Sequence, residues 1–202
     1  MEQKNLVLTN KAVTTVSNLR ENLTKLKEVK QTVMQRKAEI VKEGETLLLL
    51  DASTSMDDHD SNGIPKMKTL GKMIKTMPNA DKIYFNSDVF NYGKRTDTPA
   101  PNGNTDLALA FEYIKSNCMN KYKKIILISD GEPFSEHEAI QAALELKQPI
   151  NIIFIGIKGS TGEDFMKRLA QITGGTNITL SEKTKDFSNQ LINTTKQMLI
   201  AS

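Results

Sequence analysis

TLLLLDASTS, residues 46–55, is the stretch of this chain that decides its fold. Four consecutive leucines form an apolar run without polar alternation, which is typical of a β-strand buried on both faces of a parallel sheet. The run ends at Asp51, and Ser53 and Ser55 follow it. Because such a strand needs helices on both of its sides, the stretch predicts an α/β fold with polar side chains gathered where the strand ends.

The chain that follows this stretch alternates between two kinds of pattern. Short apolar runs predict strands, and apolar residues at steps of three and four predict helices. The predicted strands cover residues 46–51, 81–93 (one strand or a hairpin), 123–130, 150–157 and 176–180. The predicted helices cover residues 65–77, 105–117, 135–147, 161–173 and 185–201. The alternation predicts a doubly wound, mainly parallel central sheet with helices on both faces, formed by residues 45–202.

Three of these helices carry sequence signals at their first turn. Ser135 with Glu138, and Thr161 with Asp164, have the three-residue spacing of a capping box. Asp106 stands beside Thr105 in the first turn of the helix predicted for residues 105–117, and we expect its carboxylate to cap that helix.

Residues 1–44 form a separate segment. Within it, residues 10–43 have apolar side chains at steps of three, four and seven, which predict one long amphipathic helix. Residues 1–43 hold nine Lys and Arg against five Asp and Glu, so the segment is basic. Lys30 and Lys37 stand where a strict coiled coil needs apolar side chains. The pattern therefore leaves two uses open, self-association as a coiled coil and packing on the main domain.

The composition excludes several classes of protein. Net charge is +3 and the chain has one cysteine, so an intramolecular disulfide is excluded. No apolar run approaches the roughly 20 residues that span a bilayer, and the first residues lack the layout of a signal peptide. We therefore expect a cytoplasmic protein that does not enter the membrane. The small basic surplus is not interleaved with aromatic residues, which argues against nucleic-acid binding.

Polar side chains collect at one predicted edge of the sheet. Asp51, Ser53 and Ser55 follow the first strand, Asp130 ends the strand at 123–130, and Thr105 stands at a helix start. In an open α/β sheet, ligands bind beyond the carboxyl ends of the strands. We therefore expect these three loops to converge, although they are far apart in sequence.

The chemistry of these five side chains indicates a hard cation. Two carboxylates and three hydroxyls suit Mg²⁺, with Mn²⁺ or Ca²⁺ as alternatives, and do not suit zinc or copper. The two carboxylates balance the charge of the dication, and the hydroxyls add none. The ion is therefore expected to stay electrophilic and to accept a carboxylate from another protein.

The same motifs resemble the metal-ion-dependent adhesion site of von Willebrand factor A domains. The resemblance rests on DASTS at 51–55, Thr105 in NGNTDL and Asp130 in LISDGEP, and it extends over about residues 45–202. It implies an intact site in which the hydroxyls contact the metal directly or through water, while the two carboxylates complete or support the shell. It also implies a mainly parallel sheet with one antiparallel edge strand, for which residues 81–93 are the candidate.

The resemblance also implies a function and a kind of partner. It implies metal-dependent protein binding without catalysis, in which the partner offers an Asp or Glu side chain. Intracellular relatives in this family often serve as adaptors for larger machines, including AAA+ ATPases. Residues 10–43 are then the candidate segment for self-association or for docking to such a machine.

Two other functions fit parts of the pattern. A strand that ends in Asp at this edge is also similar to Mg²⁺-dependent phosphatases of the haloacid-dehalogenase type, which have the motif D-x-D-x-T. Here Ser53 stands where those enzymes need a second acid, and a serine cannot act as a general acid at neutral pH. The other alternative is a structural scaffold whose metal site does not function. Metal titration and a turnover assay separate the three.

The loop at residues 56–64 raises the question of a second ion. It is acidic, and DHDSNG at 58–63 matches the start of an EF-hand loop. Thr69 stands where that motif needs its closing glutamate. We therefore interpret the loop as a solvated surface that faces a partner.

Overall fold

A computed structural model describes residues 24–25, 27–36 and 44–201 of the chain. The chain divides into two units, Met1–Ile40 and Val41–Ser202. The described residues of the first unit are helical. The rest of the helix predicted for residues 10–43 lies outside the described residues, so its length and ends stay predictions. None of the described helices is long and apolar enough to cross a membrane.

The second unit alternates strands and helices over its length. The strands are β1 (Thr46–Asp51), β2 (Asp81–Phe85), β3 (Val89–Gly93), β4 (Lys124–Ser129), β5 (Ile150–Ile155) and β6 (Asn177–Leu180). The helices are α1 (Lys66–Lys75), α2 (Leu107–Cys118), α3 (Glu136–Leu146), α4 (Thr161–Ile172) and α5 (Phe187–Ile200). A short 3₁₀ turn at Thr54–Asp57 follows β1.

The six strands form one sheet in the order β3-β2-β1-β4-β5-β6. Every neighbouring pair is parallel except β2 and β3, which pair antiparallel at one edge. The predicted α/β fold with a mainly parallel sheet is therefore confirmed. Residues 81–93 form a hairpin, and its second strand is the antiparallel edge strand that the resemblance implied.

The leucines of β1 explain why this strand lies in the middle of the sheet. All four are fully buried. Leu47 and Leu49 pack in the apolar cluster that includes α2, α3 and α4, while Leu48 and Leu50 pack in the cluster with α1 and α5. Burial of each leucine side chain contributes about 1.5–3 kcal/mol to the free energy that stabilises the fold. The continuous apolar run thus fixes the position of the strand that ends at Asp51.

The helix starts agree with two of the three predicted caps. Ser135 Oγ accepts a hydrogen bond from the Glu138 backbone N–H at 3.4 Å. The Asp106 side chain accepts one from the Leu109 backbone N–H. The predicted capping box of Thr161 with Asp164 is wrong by one residue. Ser160 caps α4, because its backbone is extended and its hydroxyl accepts the N–H of Glu163 at 3.3 Å.

Candidate metal centre

The carboxyl ends of β1 and β4 lie side by side at the edge where the sequence predicted a site. The parallel register places Leu50 of β1 opposite Ile128 of β4. The next residue of each strand, Asp51 and Ser129, therefore reaches the same edge, and Asp130 follows immediately. Two segments that are far apart in the chain are brought together by this pairing.

Asp51 holds the two strand ends together. Its side chain is fully buried, its Oδ1 accepts the Ser53 backbone N–H at 2.7 Å, and its Oδ2 accepts the Ser129 hydroxyl at 2.6 Å. Both carboxylate oxygens are thus used to position neighbours. Ser129 lies within the motif that the sequence singled out, but its bond to Asp51 depends on strand register, which the sequence does not reveal.

Ser53, Ser55 and Asp130 form a continuous line of oxygen atoms. The Oγ atoms of Ser53 and Ser55 lie 3.0 Å apart, and the Ser55 hydroxyl donates to Asp130 Oδ1 at 2.7 Å. The 3₁₀ turn that follows β1 positions both serines on this side of the loop. Four of the five predicted residues, counting Asp51, therefore belong to one hydrogen-bonded cluster.

Thr105, the fifth predicted residue, reaches the cluster beside Gly131. A side-chain carbon built on Gly131 would lie 2.8 Å from Thr105 Oγ1 and 3.8 Å from Ser55 Oγ. The two hydroxyls therefore face one small space, which stays open because residue 131 is glycine. The loop that carries Thr105 is fixed to the loop after β1, since the Thr54 backbone N–H donates to the Gly103 carbonyl at 3.1 Å.

Lys66 is the residue at this site that sequence reasoning missed. Its side chain is only 8% exposed, and its ammonium forms an ion pair with Asp130 Oδ2. The same ammonium lies 3.6 Å from Asp58 Oδ2, on a side chain that is 75% exposed. Nothing in the sequence separates Lys66 from the other lysines of α1, because its burial depends on how the preceding loop folds.

The electrostatics of the cluster show an excess of negative charge. Burial, and then the neighbouring charge of Asp130, raise the pKa of Asp51 to about 6, although hydrogen bonds from Ser129 and Ser53 lower it. Asp130 Oδ2 is paired with the Lys66 ammonium, so one buried cation faces two buried carboxylates. The buried carboxylates are thus incompletely compensated.

This donor set fits a hard divalent cation. It offers carboxylate and hydroxyl oxygens and an open space lined by two hydroxyls. Among residues 24–25, 27–36 and 44–201, no group of three or more His, Cys, Asp and Glu side chains is placed to hold a metal. A metal at this edge therefore depends on the hydroxyls of Ser53, Ser55 and Thr105.

The acidic loop before α1 is organised as a turn. Asp60 is buried, and its Oδ1 accepts the backbone N–H groups of Asn62 at 2.8 Å and Ile64 at 3.0 Å. Asp57 and Asp58 are exposed. This geometry gives Asp60 a structural role, as an aspartate that closes its own turn.

The surface above the cluster is an open depression of about 390 Å³. Its lining is Ser53, Thr54, Ser55, Gly103, Asn104, Thr105, Gly131, Glu132 and Phe134. Phe134 stands at its rim with 74% of its surface exposed, and its backbone N–H donates to the Thr105 carbonyl at 2.9 Å. A larger cavity of about 490 Å³ lies near Thr46 and Lys124, at the opposite ends of these strands. We place the site at the depression because the hydroxyls of Ser53, Ser55 and Thr105 line it, and Asp130 accepts a hydrogen bond from one of them.

Comparison with known proteins supports the fold. No family model and no curated protein matches the sequence. A von Willebrand factor type A structure from Catenulispora acidiphila is similar with a TM-score of 0.57 and 13% identity, over 77% of this chain and 41% of that one. Proximal thread matrix protein 1 from the mussel byssus is similar with a TM-score of 0.50 and 17% identity, over 76% and 45%.

The chain therefore has a von Willebrand factor A-like fold. It spans less than half the length of either similar structure. At these identities the likeness concerns the fold alone. Metal binding by the five residues stays a prediction, supported by their placement at one edge.

Proposed function

We propose that this chain is a metal-dependent protein-binding module that captures an Asp or Glu side chain of a partner. The site would be formed by the five predicted residues, Asp51, Ser53, Ser55, Thr105 and Asp130. Mg²⁺ is the proposed ion, and Mn²⁺ and Ca²⁺ suit the same donors. The observation that carries the proposal is the line of oxygens from Ser53 through Ser55 to Asp130, of which the two serines line an open depression.

The proposed roles of the five residues follow from their contacts. Ser53, Ser55 and Thr105 present hydroxyls toward the depression and would be the direct ligands. Asp51 has both carboxylate oxygens engaged, so it supports the shell by fixing Ser53. Asp130 would complete the shell next to Ser55. A divalent cation held there would supply a Lewis-acidic point that accepts a carboxylate oxygen.

Binding, and not catalysis, is part of this proposal. The described lining of the depression contains hydroxyls, the amide of Asn104, the carboxylate of Glu132 and the ring of Phe134, and it contains neither histidine nor cysteine. The position that would carry the general acid of a haloacid-dehalogenase-type phosphatase is Ser53. We expect no turnover of a generic phosphate ester in the presence of Mg²⁺.

The first test removes one hydroxyl of the line. We expect Ser53→Ala to weaken Mg²⁺ binding at least about tenfold, because it deletes a proposed ligand without adding bulk. Isothermal titration with MgCl₂, and the thermal shift that it produces, measure this effect. Partner capture from the native cell, compared with Mg²⁺ and with EDTA, should lose the same proteins in the variant and in the chelated sample.

Ser61→Ala is the matched control, because Ser61 is an exposed serine of the neighbouring acidic loop. It should leave both readouts unchanged. Absence of any heat or thermal shift with the wild-type protein would favour a structural scaffold. Partner capture that survives both EDTA and Ser53→Ala would show that binding uses another surface.

The second test concerns the rim of the depression. Phe134 is an exposed aromatic side chain beside the proposed metal, and aromatic residues are enriched in protein interfaces. We expect peptides selected by display on the Mg²⁺-loaded protein to carry an apolar residue next to their Asp or Glu. Phe134→Ala should weaken the selected peptides about tenfold.

Metal affinity separates this role from a change in the site itself. The Phe134 ring is not a proposed ligand, so Phe134→Ala should bind Mg²⁺ as the wild type does. If the selected peptides bind Phe134→Ala as tightly as they bind the wild type, Phe134 is not part of the interface.

The wider setting that we propose is an adaptor role in a larger assembly, such as one built around an AAA+ ATPase. This part rests on the resemblance of the motifs. Val29, Val33 and Met34 expose 62%, 48% and 67% of their surface on the described helical residues. Self-association through residues 10–43 is the use that we propose for this apolar surface.

A further inference from the structure

We infer that Lys66 is a specificity-determining residue of the proposed site, a tethered cation that shares Asp130 with the metal. It weakens the binding of the metal and strengthens the capture of a partner carboxylate. This inference rests on the proposed function, and it names how one further residue of the chain sets the balance between the two ligands.

The placement of Lys66 supports such a role. Its side chain is 8% exposed, whereas Lys68, two residues on in the same helix, is exposed. The two oxygens of Asp130 are divided between two neighbours, since Oδ1 accepts the Ser55 hydroxyl and Oδ2 forms the ion pair with Lys66. A buried lysine that contacts a proposed metal ligand directly must influence any cation that binds beside it.

The backbone of Lys66 is anchored at the start of α1. The Lys66 backbone N–H donates to the Asp58 carbonyl at 2.9 Å, which fixes the start of α1 against the acidic loop. The Asp58 carboxylate lies 3.6 Å from the ammonium on its outer side. Lys66 is therefore placed between an exposed acid and a buried one.

The charges of the cluster determine the direction of the effect. The buried charges are those of Asp51, Asp130 and Lys66, whereas Asp58 and Glu132 are exposed and screened by water. The three buried groups carry one net negative charge, so they attract a dication less strongly than two unpaired carboxylates do. When a dication is added, the cluster carries one net positive charge, which attracts an incoming carboxylate. Without Lys66, the loaded cluster is neutral, and this attraction is lost. The same ammonium thus lowers the affinity for the metal ion and raises the affinity for the partner's carboxylate.

Lys66→Met tests this directly, because methionine keeps most of the length of the side chain and removes the charge. We expect Lys66→Met to raise the affinity for Mg²⁺ by about tenfold or more, measured by isothermal titration with MgCl₂ alone. The affinity for Mn²⁺, measured with MnCl₂, should rise as well. Lys68→Met is the matched control, since it changes the net charge equally on the same helix, and it should change metal affinity less than about twofold.

A second readout tests the effect on the partner. Acetate is the probe, and bound Mn²⁺ broadens its methyl proton signal when acetate binds next to the ion. At equal Mn²⁺ occupancy, we expect Lys66→Met to broaden the signal less than the wild type or Lys68→Met. Loss of a purely structural lysine would not raise the affinity for the metal ion and at the same time lower the affinity for acetate.

A milder variant tests the inference if Lys66→Met does not fold. Asp58→Asn removes the exposed carboxylate that contacts Lys66, so the ammonium then pairs with Asp130 alone. We expect the affinity for Mg²⁺ to fall about threefold. Asp57→Asn is its control, because Asp57 is an exposed acid of the same loop. Equal effects of Asp58→Asn and Asp57→Asn would overturn the inference in this case.

The outcomes also separate this inference from the proposed function. If the wild type binds Mg²⁺ and Lys66→Met binds it no more tightly, the role of Lys66 is wrong and the metal site stands. If the wild type, Lys66→Met and Lys68→Met all bind neither Mg²⁺ nor Mn²⁺, the proposed function fails and the role of Lys66 fails with it.

Discussion

Asp51→Asn is expected to raise the free energy of unfolding of the metal-free protein by about 3 kcal/mol at about pH 7.5. Burial and the charge of Asp130 raise the pKa of Asp51 from 3.8 to about 6. Because this folded-state pKa lies above the value of an unfolded chain, the ionised carboxylate destabilises the fold. Asparagine keeps the shape, accepts the Ser53 N–H, and donates to the Ser129 hydroxyl.

The sign of the pH dependence follows from the same shift. Below about pH 4, Asp51 is protonated in both the folded and the unfolded state, and it contributes no penalty. The penalty grows as pH rises from about 4 to 6 and is complete above about pH 6. The metal-free wild type should therefore lose stability across this window relative to Asp51→Asn.

Urea unfolding in EDTA, measured between about pH 4 and pH 8, checks this prediction. The difference between wild type and Asp51→Asn isolates residue 51 from the other titrating groups. Added Mg²⁺ should stabilise the wild type and leave Asp51→Asn nearly unchanged. Asp57→Asn, in an exposed position, should follow the wild type, and parallel curves for wild type and Asp51→Asn would contradict the prediction.

Gly131→Ala is expected to weaken Mg²⁺ binding by about tenfold to a hundredfold. The added carbon would lie 2.8 Å from Thr105 Oγ1, closer than such atoms approach, and 3.8 Å from Ser55 Oγ. It therefore fills the space that the two hydroxyls face and displaces the threonine. Isothermal titration with MgCl₂ measures the loss.

The fold should tolerate this substitution, because the nearest atoms belong to side chains that line the open depression, and none of them belongs to the backbone. Gly44→Ala is the control, since no atom lies within 4 Å of the carbon that it adds. Gly44→Ala should bind Mg²⁺ as the wild type does. Undiminished binding by Gly131→Ala would place any metal away from Thr105 and Ser55.

The sequence predicted the sheet because β1 carries a signal that only a central strand needs. Leu47 to Leu50 alternate between two apolar clusters, so all four positions must be apolar. The convergence of Asp51 with Asp130 was predictable for the same reason, because neighbouring parallel strands end at one edge.

The remaining features depend on tertiary contacts that leave no local pattern. Lys66 is buried only because the acidic loop folds over the start of α1. Ser129 donates to Asp51 because of strand register. The cap of α4 was misplaced because Ser160 and Thr161 are adjacent hydroxyl residues, and the three-residue spacing fits either one.

The central place of β1 has a mechanical consequence. This strand is paired in parallel with β2 on one side and β4 on the other, and it runs straight into the loop that carries Ser53 and Ser55. A pull applied to that loop acts along the axis of β1. The backbone hydrogen bonds to β2 and those to β4 then resist the pull together, in shear. A strand at the edge of the sheet is held by hydrogen bonds on one side alone. A partner that pulls on this end would thus be resisted by the pairing of β1 with both of its neighbours.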